Sequence, residues 1–126
     1  IGGVGVEDCD FNFATAANTT EQVIDLGAII PALARVLDVK SYTNAVFTGV
    51  TTLAAEVGNA SSGNQFVASA SIYAADAITA MDNTRALNVA PNEDATHVYV
   101  AATPGANWSG VTAGKVTYYI TYIEVC

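Results

Sequence analysis

The chain has 126 residues, 52% of them apolar, and four basic side chains against twelve acidic ones, for a formal charge of -8. That length suits one domain over residues 1–126, and that apolar content can fill a core without staples. The acidic balance speaks against a nucleic-acid partner, which needs a basic face to neutralise phosphates, and against binding to anionic membrane surfaces.

Residues 1–6 open with Ile-Gly-Gly-Val-Gly-Val and read as a flexible or partner-clasping arm. The glycine spacing is not that of a dinucleotide loop, with no strand before it and no helix after it. Residues 6–16 alternate: Asp8, Asp10 and Asn12 on one side, Cys9, Phe11 and Phe13 on the other. That is the pattern of a half-buried strand. The Asp-x-Asp-x-Asn spacing opens like a calcium loop, but such a loop needs Gly at its sixth position and Glu at its twelfth; Phe13 and Thr19 stand there. Residues 17–20 are a turn, and 21–30 a strand that ends at Gly27.

The segment from Pro31 is ambiguous, since Pro at a first helical position can open a helix. The alternation that follows favours one long strand over 34–48, with room for a bulge. A strand ends at Gly58, a polar turn occupies 59–64, and 65–72 is strand-like. Ala74, Ala77, Ile78 and Met81 fall at helical spacing and suggest a short helix or an irregular crossing over 73–81. A short strand is expected at 85–89, and a loop at 90–95.

The last third carries the strongest signal. Residues 96–103 and the run from Val116 are apolar, β-branched and aromatic, and flank a loop rich in Pro, Gly, Asn and Ser. Such residues suit a pleated surface and suit a helix poorly. Val116, Tyr118, Ile120 and Tyr122 share one face; Thr117, Tyr119, Thr121, Ile123 and Val125 share the other. With apolar groups on both faces, this is expected to be a central strand, with 96–103 as its antiparallel neighbour. The whole reads as all-β: an antiparallel β-sandwich or jelly roll of about eight strands with at most one short helix.

Catalytic signatures are lacking. His97 is the single histidine, on a strand face with Tyr99 and Ala101, and reads as structural. There is no Gly-x-Ser-x-Gly elbow, and the paired carboxylates (Glu7/Asp8/Asp10 and Glu93/Asp94) look like surface runs. Two cysteines and one histidine cannot complete a usual zinc site. No enzyme activity, cofactor or metal is expected. Cys9 and Cys126 are a possible disulfide, because domain termini often meet. Sequons at Asn18, Asn59 and Asn107 carry no inference in a chain this rich in Asn, Ser and Thr. Trp108, between Asn107 and Ser109 in a loop, can stack on a sugar, anchor a protein contact, or fold back to cap the sandwich edge.

A set of segments taken together resembles the small virion proteins of tailed bacteriophages. They are the long strand with Leu37-Asp-Val39, the stretch 53–58, Gln65-Phe-Val67, and above all residues 98–109 and 112–122. The resemblance implies a sandwich subunit of a phage particle, of the head-decoration (cement), head-fibre or tail-associated kind. The decoration reading implies a protein on the outer surface of the virion, extracellular once released. It binds the major capsid protein or another virion protein and stabilises the head. The alternative is a fibre module that binds host-surface glycan through Trp108, Asn107 and Ser109, with Tyr73 or Tyr99 beside them. In either case the outer face of the last strand, with Tyr119 and Ile123, predicts a homo-oligomer, a trimer ahead of a dimer, because a monomer would leave an apolar patch in water.

Overall fold

The computed structural model describes residues 2–9, 11, 21–61, 63–73, 78–79, 89–105 and 108–124. Among these residues eight strands run in the order β1 (Gly2–Cys9), β2 (Gln22–Asp25), β3 (Ala34–Thr48), β4 (Leu53–Gly58), β5 (Val67–Ser71), β6 (Ile78–Thr79), β7 (Tyr99–Pro104) and β8 (Ala113–Glu124). They form two four-stranded sheets, A in the order β1-β8-β3-β6 and B in the order β2-β7-β4-β5. Every pairing is antiparallel. The pairs β1–β8, β2–β7, β3–β6 and β4–β5 match first strand to last, second to seventh and inward to the middle. Such a ladder, folded across two sheets, is a jelly-roll sandwich, as the alternation along the chain predicts.

This winding corrects the expected pairing of the last two strands. β7 lies between β2 and β4 in sheet B, and β8 lies between β1 and β3 in sheet A. The turn-rich segment between them is therefore a crossing from sheet to sheet, not a hairpin. Two further expectations change. Residues 1–6, read as an arm, supply from Gly2 onward the first part of β1, paired residue for residue with β8. Glycine is needed there because side chains of the inner layer lie over it: a Cβ at Gly5 would strike Ile29, and one at Gly3 the Tyr122 ring. In the segment read as a possible helix, Ile78–Thr79 pairs with Tyr42 and Ser41 as β6. The turn at 17–20 and most of the strand expected at 85–89 lie outside the described residues.

β3 spans the residues that its alternation predicts, and its bulges set its faces. Ala34 and Val36 are buried; after the register shift between Val36 and Asp38 the buried residues are Val39, Ser41 and Thr43. One extra residue moves the inward set from even to odd numbers, which is what a bulge does to a strand of period two. Thr43, polar and fully buried, is satisfied by donating its hydroxyl to the Ile72 carbonyl at 2.8 Å.

The core fills the space between the sheets. Sheet A contributes Val36, Val39, Phe47, Val116, Tyr118 and Ile120, and sheet B contributes Leu53, Val57, Val67, Val100 and Ala102. Burial pushes the Tyr118 hydroxyl well above its ordinary titration range, so it stays protonated.

Candidate docking face

The residues proposed from sequence as functional do not form one site. Trp108 is the clearest correction: it is 0% exposed. It sits in a single 3-10 turn, Trp108–Gly110, within the crossing from β7 to β8. Its ring stacks on Phe11 at 5.3 Å, and Phe11 meets Phe47 edge-on at 6.1 Å. The turn is held down by the Val111 amide donating to the Trp108 carbonyl at 2.9 Å and the Thr112 amide donating to the Thr48 carbonyl at 3.0 Å. Gly49, at φ 95°, lies so close beneath that a Cβ there would strike the Gly110 carbonyl. Trp108 thus plugs the end of the sandwich, the folded-back alternative, and cannot offer its face to a sugar. Ser109 is exposed, Tyr99 is half-buried on sheet B, and Asn107 lies outside the described residues. Cys9 is buried at the end of β1, opposite Val116; Cys126 lies outside the described residues.

His97 is held against Asp25, its Nδ1 2.9 Å from both carboxylate oxygens, and its ring stacks on Tyr99 at 6.2 Å. The His97 hydrogen bond, and then the Gly27 amide at 2.8 Å, hold the Asp25 carboxyl below the usual carboxylate range. This clamp ties the end of β2 to the approach to β7. Among the described residues no three His, Cys, Asp or Glu side chains gather as a metal site.

What the structure does assemble is the outer face of sheet A. On β8, Val116, Tyr118 and Ile120 are buried, so the intervening Thr117, Tyr119, Thr121 and Ile123 point away from the core. Register puts Val6 beside Tyr119 and Val4 beside Thr121. Val4 and Val6 are each 53% exposed, Ile123 45% and Tyr119 38%. Four of the five large apolar side chains that stand most exposed among the described residues therefore share one face. A shallow groove of about 200 Å³, lined by Lys40, Ser41, Tyr42 and Tyr119, continues the patch toward β3.

The other half of the face is polar, and around Asp8 its groups are hydrogen-bonded to one another. Asn44 Nδ2 donates to Thr117 Oγ1 at 2.7 Å, Thr117 Oγ1 donates to Asp8 Oδ1 at 2.6 Å, and Lys115 Nζ lies 3.1 Å from Asp8 Oδ2. Asn44 can take part because it is the extra residue of the second bulge in β3, between Thr43 and Ala45. The hydroxyl of Thr117 first, and the ammonium of Lys115 second, hold the Asp8 carboxyl below its ordinary value. Lys40 pairs with Asp38 at 3.5 Å. Three of the four basic residues of this acidic chain, Arg35, Lys40 and Lys115, belong to β3 and β8. The face is therefore close to charge-balanced, unlike the chain as a whole.

Sequence reasoning found Tyr119 and Ile123 on the last strand; it offered Val4 and Val6 only as part of a partner-clasping arm, not as a strand beside β8. The available signal was the Gly-Val-Gly-Val alternation, which continues the period of residues 6–13.

No family model matches the chain, and no curated protein matches it. Its fold does have solved counterparts. It is similar to a chain in the capsid of Ralstonia phage GP4, with a TM-score of 0.71 at 18% identity over 100% of this chain and 86% of that one. It is also similar to a chain of the cyanophage Pam1 capsid asymmetric unit, with a TM-score of 0.71 at 20% identity over 98% of this chain and 85% of that one. The jelly-roll sandwich described above is thus a fold found in chains of phage capsids.

Proposed function

We propose that this chain is a structural protein of a bacteriophage particle, and specifically a decoration (cement) protein on the outer surface of the head. The observation that carries this reading is the apolar half of the outer face of sheet A, where Val4, Val6, Tyr119 and Ile123 stand together. Single exposed apolar residues are ordinary, but a contiguous patch rimmed by polar groups marks a contact surface. The likeness in fold to capsid chains supports the setting. In this reading the protein works by contact, not by catalysis. It buries apolar area at roughly 25 cal/mol per Å² before association costs are counted. Because it binds the assembled lattice and not free shell subunits, it stabilises the particle by mass action. The near-balanced charge of the face lets an otherwise acidic protein approach a partner without concentrated repulsion. The assembled form in this reading is a homo-oligomer, a trimer suiting the threefold positions of an icosahedral lattice and a dimer the twofold ones. Once particles leave the host, the protein is extracellular.

The test uses particles stripped of the protein and refilled with the natural chain or with Val6→Asp/Ile123→Asp. The natural chain is expected to bind and to raise the temperature at which particles release their genome. The variant is expected to remain folded and to fail to bind. Particle stability indifferent to the natural chain would rule cementing out.

A further inference from the structure

β1 is an edge strand whose outer rim no described strand covers. Proteins blunt such rims with proline, charged side chains, bulges or very short strands. β1 carries charge only at Glu7 and Asp8 near its end, has no proline or lysine, leaves residues 2–6 uncharged, and its eight-residue pairing with β8 runs without a register shift. We propose that this rim pairs with β1 of a second copy, antiparallel, about a twofold axis at Gly5.

The register follows from the side chains. Centred on Gly5, Val4 lies opposite Val6 of the second copy, Gly3 opposite its Glu7, and Gly2 opposite its Asp8. Apolar meets apolar, and each carboxylate meets a residue with no side chain. Moving the centre to Val6 sets Val4 against Asp8; moving it to Glu7 sets the two glutamates against each other, which is unfavourable for like charges directly opposite. Moving it to Val4 shortens the ladder and leaves Val6 opposite glycine. Centres between residues pair inward positions with outward ones, so the two sandwiches would face opposite ways. Only the Gly5 register keeps a long ladder, matches Val with Val, and turns both outer faces of sheet A to the same side. The two patches then form one continuous surface, Tyr119–Val6 of one copy running into Val4–Thr121 of the other. In a dimer this contact is the interface. In a lattice of trimers it is the bridge between neighbours, since adjacent threefold units are related by twofold axes.

The experiment is disulfide trapping in solution, without any shell, in a background in which Cys126 is Ser. Opposed residues in an antiparallel pair have Cα atoms about 4.5–5.5 Å apart, within disulfide range, whereas diagonal neighbours, about 7–8 Å apart, fall outside it. The double variant Val4→Cys/Val6→Cys is expected to give a covalent dimer on mild oxidation, at least about tenfold more than either single variant, because only the double variant places cysteines opposite each other. Both valines are exposed, so the variants are expected to melt with the parent. No covalent dimer from the folded double variant, or equal yields from single and double variants, overturns the pairing. Shell binding that persists while trapping fails would remove the edge contact and leave the decoration reading standing; trapping without shell binding would do the reverse.

Discussion

Replacing Trp108 with Ala separates a core plug from a surface platform. The indole is fully buried and stacked on Phe11, which in turn contacts Phe47. Truncating a buried Trp costs about 3–5 kcal/mol in lost transfer free energy and cavity. An unfolding entropy of about 2.1 cal/mol/K per residue gives roughly 0.26 kcal/mol/K for this chain, so Tm should fall by about 11–19 °C. Trp108→Phe keeps a ring against Phe11 and should lose well under half of that. Because Trp108 is the only tryptophan, the native protein also reports its own burial. Its fluorescence should be blue-shifted and shielded from iodide, and both properties should vanish on unfolding. Thermal melts by circular dichroism, with iodide quenching of the native protein, make the measurement. A Tm loss under about 5 °C, or quenching equal to that of free indole, would show that the indole does not hold the sandwich end together.

Two other predictions concern β1. Asp8 has a folded-state pKa below its unfolded value of about 3.9, so its contribution to stability is present above that value and is lost as pH falls through the folded one. The Tm gap between the natural chain and Asp8→Asn is therefore expected at pH 6 and should close below about pH 4; a gap unchanged at pH 3 would contradict the assignment. The β1–β8 register also bears on the cysteines. Cys9 lies opposite Val116, and Glu124 is eight residues further along β8 (124 − 116), about 26 Å at ~3.3 Å per residue. Two more residues cannot return that distance, so no disulfide between Cys9 and Cys126 of one chain is expected. Peptide mapping under non-reducing conditions checks this, and a linked peptide from monomeric protein would overturn the register.

Much of the fold was legible because strand period is a local property. β3 could be bounded from its alternation, and β8 was recognised as a strand because every residue over 116–123 is β-branched or aromatic, its two faces then following from the period of two. What failed was non-local. Two adjacent strands joined by a turn-rich segment look like a hairpin, and nothing within 96–124 shows that the neighbours of β8 come from residues 2–9 and 34–48. Trp108 looked exposed because Asn, Ser and Gly surround it; its burial depends on Phe11 and Phe47, distant in sequence. Gly3 and Gly5 suggested a loose arm, since their reason for being glycine lies in Tyr122 and Ile29. The docking face was half visible: its β8 residues alternate plainly, while its β1 residues could be placed only once that strand was known to lie beside β8.

The position of β8 at the centre of sheet A has a consequence for how the chain comes to be folded at all. Gly2 must find Ile123, 121 positions later (123 − 2), and β3 must wait for the same strand. Contacts so far apart in sequence are slow to close, because loop entropy must be overcome before they reward it. During synthesis β4, β5 and β7 can meet to start sheet B, while β1 and β3 wait for β8. For that interval Val4, Val6 and the inward residues of β3 face the cell, with the edges of β1 and β3 that β8 will fill still open, which is when such segments aggregate. The yield of folded chain would then be limited less by the stability of the finished sandwich than by how quickly its last strand is captured.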